Sequence, residues 1–394
     1  MLTAAKTKLR EWREQMQLPE AAKAEMARDQ AGLPQADPGI EPVVHAAIGW
    51  LKRAQDQSVS HDGGVARDFS LTKGWAVSYP ETTGYIIPTM IDYANRYGDD
   101  DARQRARRMI DWLVAIQFPE GGFMGGRINA DVRVPVTFNT GQILLGLAAG
   151  VVEFGDVYRE PMRRAADWLR DSLDPDGCWR KHATPFAEAG DKTYETHVAW
   201  GLFEAARIDA DRGYAEAALR QNRWALTQQQ ANGWLANCCL SNPHRPLTHT
   251  LGYALRGFME AHRFSGDSDI LARAIKTADG LMTALRDDGY LPGALNPDWS
   301  SSANWSCLTG EVQIAHSWLM LYEITGDRKY FDAAALANRF VRRTIRIDGP
   351  ADTRGAVKGS FPVQGAYGAF QYLNWAPKFM IDANLLELDV RRRG

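Results

Sequence analysis

Glu81, Glu195 and Glu311 stand in three separate segments, SYPETTGY (78–85), KTYETHVAW (192–200) and CLTGEVQIA (307–315), each where a polar loop gives way to an apolar run. Hydrolysis of a glycosidic bond needs two carboxyl groups, one a general acid and the other a base or nucleophile. Glu81 and Glu195 are assigned those roles, with Glu311 as their substitute and His197 and His249 as groups that tune or relay protons. The same junctions are rich in amides, charges and aromatic rings. Arg67, Asp68, Asn139, Gln142 and Gln313 are suited to directional hydrogen bonds with hydroxyls, and Trp75, Tyr85, Trp305, Tyr372 and Trp375 to stacking on the C–H face of a sugar ring. A second chemistry uses the same residues. In a uronate lyase or C5-epimerase, Tyr85, His197 or His249 would remove the proton beside the carboxylate, while Asn139 and Arg67 offset the developing charge.

These junctions recur with a period. RRMIDWLVAIQFPEGGF (107–123), RRAADWLRDSLDPDGCW (163–179), RQNRWALTQQQANGW (220–234) and KTADGLMTALRDDGY (276–290) are amphipathic helices closed by a glycine turn and an aromatic. Trp112, Trp168, Trp224 and Gly280 occupy equivalent places, each 56 residues after the last. A constant spacing of this size marks a stacked helical unit. Between these segments run more apolar helices, each placed to start at a threonine, with Thr83, Thr140, Thr196, Thr250 and Thr309 read as N-caps. Being apolar nearly all round, this second series belongs inside. Further outer helices at 41–56 and 329–346 and a last inner helix near 370–389 complete six outer–inner pairs. The expected fold is therefore all-α, an (α/α)6 toroid over residues 39–394, preceded by a short N-terminal helical arm and linker over residues 1–38. Parallel inner helices gather their N-termini, and the loops before them, at one end of the ring.

Composition narrows the function further. The chain has 394 residues, 46 Lys+Arg against 48 Asp+Glu and a formal net charge of -2, which lacks the basic surface that binding to phosphate backbones needs. No apolar run is long enough to span a membrane, and the charged first thirty residues carry no secretory signal, so a cytoplasmic protein is expected. Cys178, Cys238, Cys239 and Cys307 form no C-x-x-C pair and match no zinc spacing; neither metal nor cofactor is expected. The run GGFMGG (121–126) lacks the lysine and spacing of a phosphate-binding loop.

The turns QFPEGGF (117–123) and QQANGW (229–234) resemble the Q-x(2–3)-G-x-W repeats of squalene–hopene and related terpenoid cyclases, although the D-x-D-D acid motif of those enzymes is missing. Over about residues 40–390 the chain resembles more closely the carbohydrate-active (α/α)6 proteins: polysaccharide lyases, unsaturated-uronyl hydrolases and glucuronyl epimerase-like domains. SYPETTGYIIPT (78–89), PLTHTLGYALRG (246–257), CLTGEVQIA (307–315) and NWAPKFMIDA (374–383) are also similar to a bacterial family found among exopolysaccharide and surface-glycan biosynthesis proteins. The resemblance implies a poly- or oligosaccharide substrate and an association with surface-glycan proteins. It carries over no catalytic residue. Cleavage of a glycosidic linkage is the expected reaction, with lyase or epimerase, terpenoid-cyclase-like enzyme, and non-catalytic glycan-binding subunit as the alternatives.

Overall fold

The repeat has a physical cause in its glycines. Gly121 adopts φ +109°, and a Cβ there would collide with the carbonyl of Arg164 on the next outer helix, so only glycine lets the turn close against that neighbour. Gly177, Gly233 and Gly289 repeat the contact on the carbonyls of Arg220, Lys276 and Leu336. In the last unit Gly355, at φ +80°, meets Ala46 of the first outer helix in the same way.

The structure is a computed structural model and describes residues 17–188 and 190–393. After α1 (Glu20–Gln30), outer and inner helices alternate. The outer ones are α2 (Ile40–Asp56), α4 (Asp100–Ile116), α6 (Arg159–Ser172), α8 (Tyr214–Thr227), α10 (Ser268–Thr283) and α12 (Arg328–Thr344). The inner ones are α3 (Pro80–Tyr97), α5 (Thr137–Phe154), α7 (Thr196–Ile208), α9 (Thr248–Ser265), α11 (Leu308–Thr325) and α13 (Trp375–Arg393). Each inner helix packs on the next, α13 returns to α3, and each inner helix lies against the outer helix that follows it. The exception closes the ring: α13 pairs with α2, joining the last and first helices of the ring. This is an (α/α)6 toroid.

Small residues let the inner helices approach closely. A Cβ on Gly146 would collide with the backbone of Gly84, and one on Gly257 with Thr196. Outside, Trp112 and Trp168 lie against Gly64 and Gly122 of the long loops. Where the series has Gly280 instead of tryptophan, the indole of Trp299 from a loop fills the space.

The threonines do not cap the inner helices; even Thr196 is the first helical residue of α7, after Glu195 at the cap position. The others lie within the first turn, where the hydroxyls of Thr83, Thr140 and Thr250 donate to the carbonyls of Tyr79, Val136 and Leu247 at 2.9, 2.8 and 2.9 Å. Thr83 and Thr140 also accept the N–H groups of Val65 and Phe123. In these three units the threonine ties the preceding long loop to its helix. The last inner helix starts at Trp375 because residues before it pair as a strand. β1 (Asp68–Ser70) lies between β2 (Gly74–Trp75) and β5 (Gln371–Leu373), while β3 (Ser306–Cys307) pairs with β4 (Ser360–Phe361). These short ladders stitch together the long loops, all of which lie at the N-terminal end of the inner helices. Of the expected arm, residues 1–16 lie outside the described residues; α1 packs against the ring through Ala22 and Met26.

Candidate active site

Side chains from the first two turns of four inner helices converge on one cavity of about 590 Å³. Glu81 comes from α3, Phe138 and Asn139 from α5, His249 and Tyr253 from α9 and Trp375 from α13. The loops add Arg67, Tyr79, Arg127, Phe186, Tyr194, Tyr367 and Gln371.

Glu81 opens in part onto this cavity, and its carboxyl accepts the Asn139 side-chain amide at 2.9 Å. Burial pushes its pKa up to about 8 against the opposing pull of Arg67, so the group holds its proton at neutral pH. His249 behaves oppositely. Burial lowers its pKa to about 4, so the ring is neutral at pH 7. Its Nδ1 lies 2.7 Å from Gln313 Oε1; the amide oxygen accepts, which puts the proton on Nδ1 and the lone pair on Nε2. Tyr253 lies one helical turn on from His249, ring centres 4.4 Å apart, and its hydroxyl is 3.4 Å from that of Tyr85. At the mouth, the Arg67 guanidinium sits 5.2 Å from the Trp375 ring and 5.8 Å from that of Tyr79, and it pairs with Asp68 at 2.7 Å. Arg127 lies 3.7 Å from the same carboxylate. Trp375 donates its indole N–H to the Tyr367 hydroxyl at 2.9 Å.

The expected site residues thus divide. Arg67, Glu81, Tyr85, Asn139, His249 and Trp375 line the cavity. Glu195 does not: it precedes α7, is 5% exposed, and the charges bearing on it are Lys192 and Asp191, with burial raising its pKa to about 8. Glu311 also stays out: its carboxyl accepts the Ser306 hydroxyl, tying α11 to the segment just before it. His197 is fully buried beneath the cavity, 4.5 Å from the Tyr253 ring centre, with Nδ1 2.6 Å from Gln142 Oε1 and Nε2 without a partner. Gln142 and Gln313 therefore orient histidines instead of lining the cavity, and Asp68 orients arginines. Trp75 packs on Trp50 and Phe69 and donates to Asp352. Trp305 lies against Gly293, and Tyr372 is buried within β5.

Tyr253, Phe138, Arg127, Phe186 and Gln371 were not anticipated as site residues. Tyr253 had a readable signal, lying four residues after His249 on one helix face. Arg127 and Phe186 sit in irregular loops where no periodicity points inward. The free cysteines are all buried, and among the described residues no group of three or more His, Cys, Asp or Glu is placed to hold a metal ion. No described helix is long and apolar enough to cross a membrane.

Residues 76–257 match the family model of the squalene–hopene cyclase C-terminal domain. No curated protein sequence matches the chain. Among solved structures, the chain is similar to an unsaturated glucuronyl hydrolase specific for heparin, at 16% identity and a TM-score of 0.72, covering 91% of this chain and 99% of that one. It is similar to D-mannose isomerase at 12% identity and a TM-score of 0.71, with coverage of 91% and 99%. A cellobiose 2-epimerase from Bacillus thermoamylovorans B4167 follows at 11% and 0.68, with coverage of 88% and 97%. These likenesses establish the toroid fold, and the cyclase-like repeat with it.

Proposed function

We propose that the cavity is the active site of a carbohydrate-active enzyme that moves a proton on an acidic sugar, as a uronate lyase or epimerase does. One observation carries the reading. Among the described residues Glu81 is the single carboxyl lining the cavity, and it shares that cavity with a neutral histidine of opposite proton occupancy at pH 7. His249 Nε2 would take the proton from the carbon beside the sugar carboxylate. Glu81 would give its proton to the leaving oxygen, or to the carbon from the other face. Arg67 and Arg127 carry two positive charges against one from Asp68, and that excess suits a carboxylate on the substrate. Trp375, Tyr79 and Tyr367 supply the apolar faces on which a sugar ring stacks.

Hydrolysis by a carboxyl pair is less well supported, since Glu195 and Glu311 stay off the cavity. A hydrolytic variant in which Glu81 protonates the glycosidic oxygen and His249 activates water is the second reading; the hydrolase among the similar structures favours it. A role in bacterial surface-glycan metabolism belongs to the same proposal and rests on the sequence resemblance. The test is incubation with neutral and uronate-containing glycans in D2O, reading reducing ends, near-ultraviolet absorbance and deuterium at sugar carbons. Absorbance with new ends marks a lyase, and deuterium without cleavage an epimerase. Reducing ends alone would transfer the assignment to hydrolysis. Silence on every glycan, with no ligand-induced rise in melting temperature, would overturn the sugar reading.

A further inference from the structure

Two walls of the cavity, Tyr367 and Gln371, belong to the loop of residues 345–374 that precedes α13. This strap is held from outside the ring by α1. Lys358 lies in it, 1% exposed, and its ammonium reaches Glu25 at 2.8 Å and also Asp29, both on α1. The second oxygen of Asp29 accepts the backbone N–H of Val363 at 2.7 Å. Arg28 pairs with Glu25 at 2.9 Å, so two cations and two carboxylates balance in a largely buried cluster.

The bonds continue inward without a gap. From Lys358 and Val363 the strap folds so that Val363 O accepts Phe370 N–H and Gly359 N–H donates to Gln371 O. Ser360 then grips Tyr367 by both backbone groups, Oγ donating to its carbonyl at 2.8 Å and accepting its N–H at 3.1 Å. Tyr367 ends the series in the cavity, bonded to Trp375 and with its ring tilted against that of His249, centres 5.3 Å apart. The helix seats Ala22 and Met26 in the core, and its directional charged bonds to the strap fix register better than they add stability.

We infer that α1 is part of the active site at one remove: Glu25 and Asp29 are positioning residues that hold the strap, and through Tyr367 they set how tightly substrate binds. The activity readout rests on the function proposed above, whereas the conformational readout does not. In the chain of residues 1–394, Asp29→Asn keeps the shape but weakens both bonds made by that carboxylate, and Glu25→Gln weakens the pairs with Lys358 and Arg28 while leaving the Asp29 bonds in place. Hydrogen–deuterium exchange should show strap amides 359–371 exchanging at least tenfold faster in Asp29→Asn, with inner-helix amides unchanged. KM should rise about tenfold with kcat within about twofold, and Asp29→Glu should recover part of the loss. Glu25→Gln should show a smaller change of the same sign, and it serves as the test if Asp29→Asn fails to fold. Strap exchange and KM both at wild-type levels in these variants would overturn the inference. Faster strap exchange on a protein inactive towards every sugar would uphold the brace and reject the substrate class.

Discussion

Glu81 and Glu195 have the same residue type, the same kind of junction and pKa values raised alike to about 8 by burial, yet only one faces the cavity. Burial alone therefore does not single out the proposed catalytic acid; access to the cavity does. Glu81→Gln should lower kcat by about 10²- to 10⁴-fold with the melting temperature held, and Glu195→Gln by less than tenfold. Activity of the wild type should need Glu81 protonated and His249 unprotonated. The rate is then expected to fall below about pH 4 and above about pH 8, which a kcat/KM profile would show. Glu195 belongs to stability. Its pKa is higher in the folded chain than the ordinary glutamate value of 4.5, so the stability it lends is present at low pH and is lost as pH rises between 4.5 and about 8. The slope is about 1.4 kcal/mol per pH unit at most. Glu195→Gln should flatten that decline, raising the melting temperature relative to wild type at pH 9, and an unchanged curve would refute the assignment.

At the scale of elements, the periodic features were legible and the loop conformations were not. Trp112, Trp168 and Trp224 announce the outer helices because each must present one large ring at one place in every unit. Gly280 breaks that series in sequence, and only three dimensions reveal that Trp299 arrives from a distant loop to fill its gap. The threonines mislead for a related reason. A hydroxyl before an apolar run has the composition of a cap, but here it bonds backward to a carbonyl and sideways to a loop. The site divides the same way. Residues in helical first turns, such as Glu81, Asn139 and His249, could be placed from periodicity, whereas Arg127 and Gln371 depend on loop paths that no period encodes. Inner-helix glycines give a test of the packing. Gly146→Ala would force its methyl into the backbone of Gly84 and should destabilise the protein by about 1–3 kcal/mol, read from denaturant unfolding. Loss of under about 0.5 kcal/mol would mean that the inner ring has slack.

For the whole molecule, the ring has two unlike ends. Tight glycine turns, among them Gly98, Gly266 and Gly326, join inner to outer helices at one end, and the long loops that build the cavity occupy the other. The ring depends on closure by α2 and α13, the first and last of its helices. Ending the chain after Asn374 should therefore abolish the cooperative thermal transition seen by circular dichroism. A truncated chain that melts cooperatively near the wild-type temperature would show that closure is dispensable.

That closure also governs how the chain is born. The apolar stripe of α2, with Val44, Ile48 and Leu51, leaves the ribosome long before its inner partner α13 is translated. At about 5–20 residues per second, the stripe waits some 15–65 s for α13. Throughout that interval the nascent polypeptide exposes an unmatched sticky seam, so a chaperone that shields early segments should raise the yield of soluble protein more than one that acts after release.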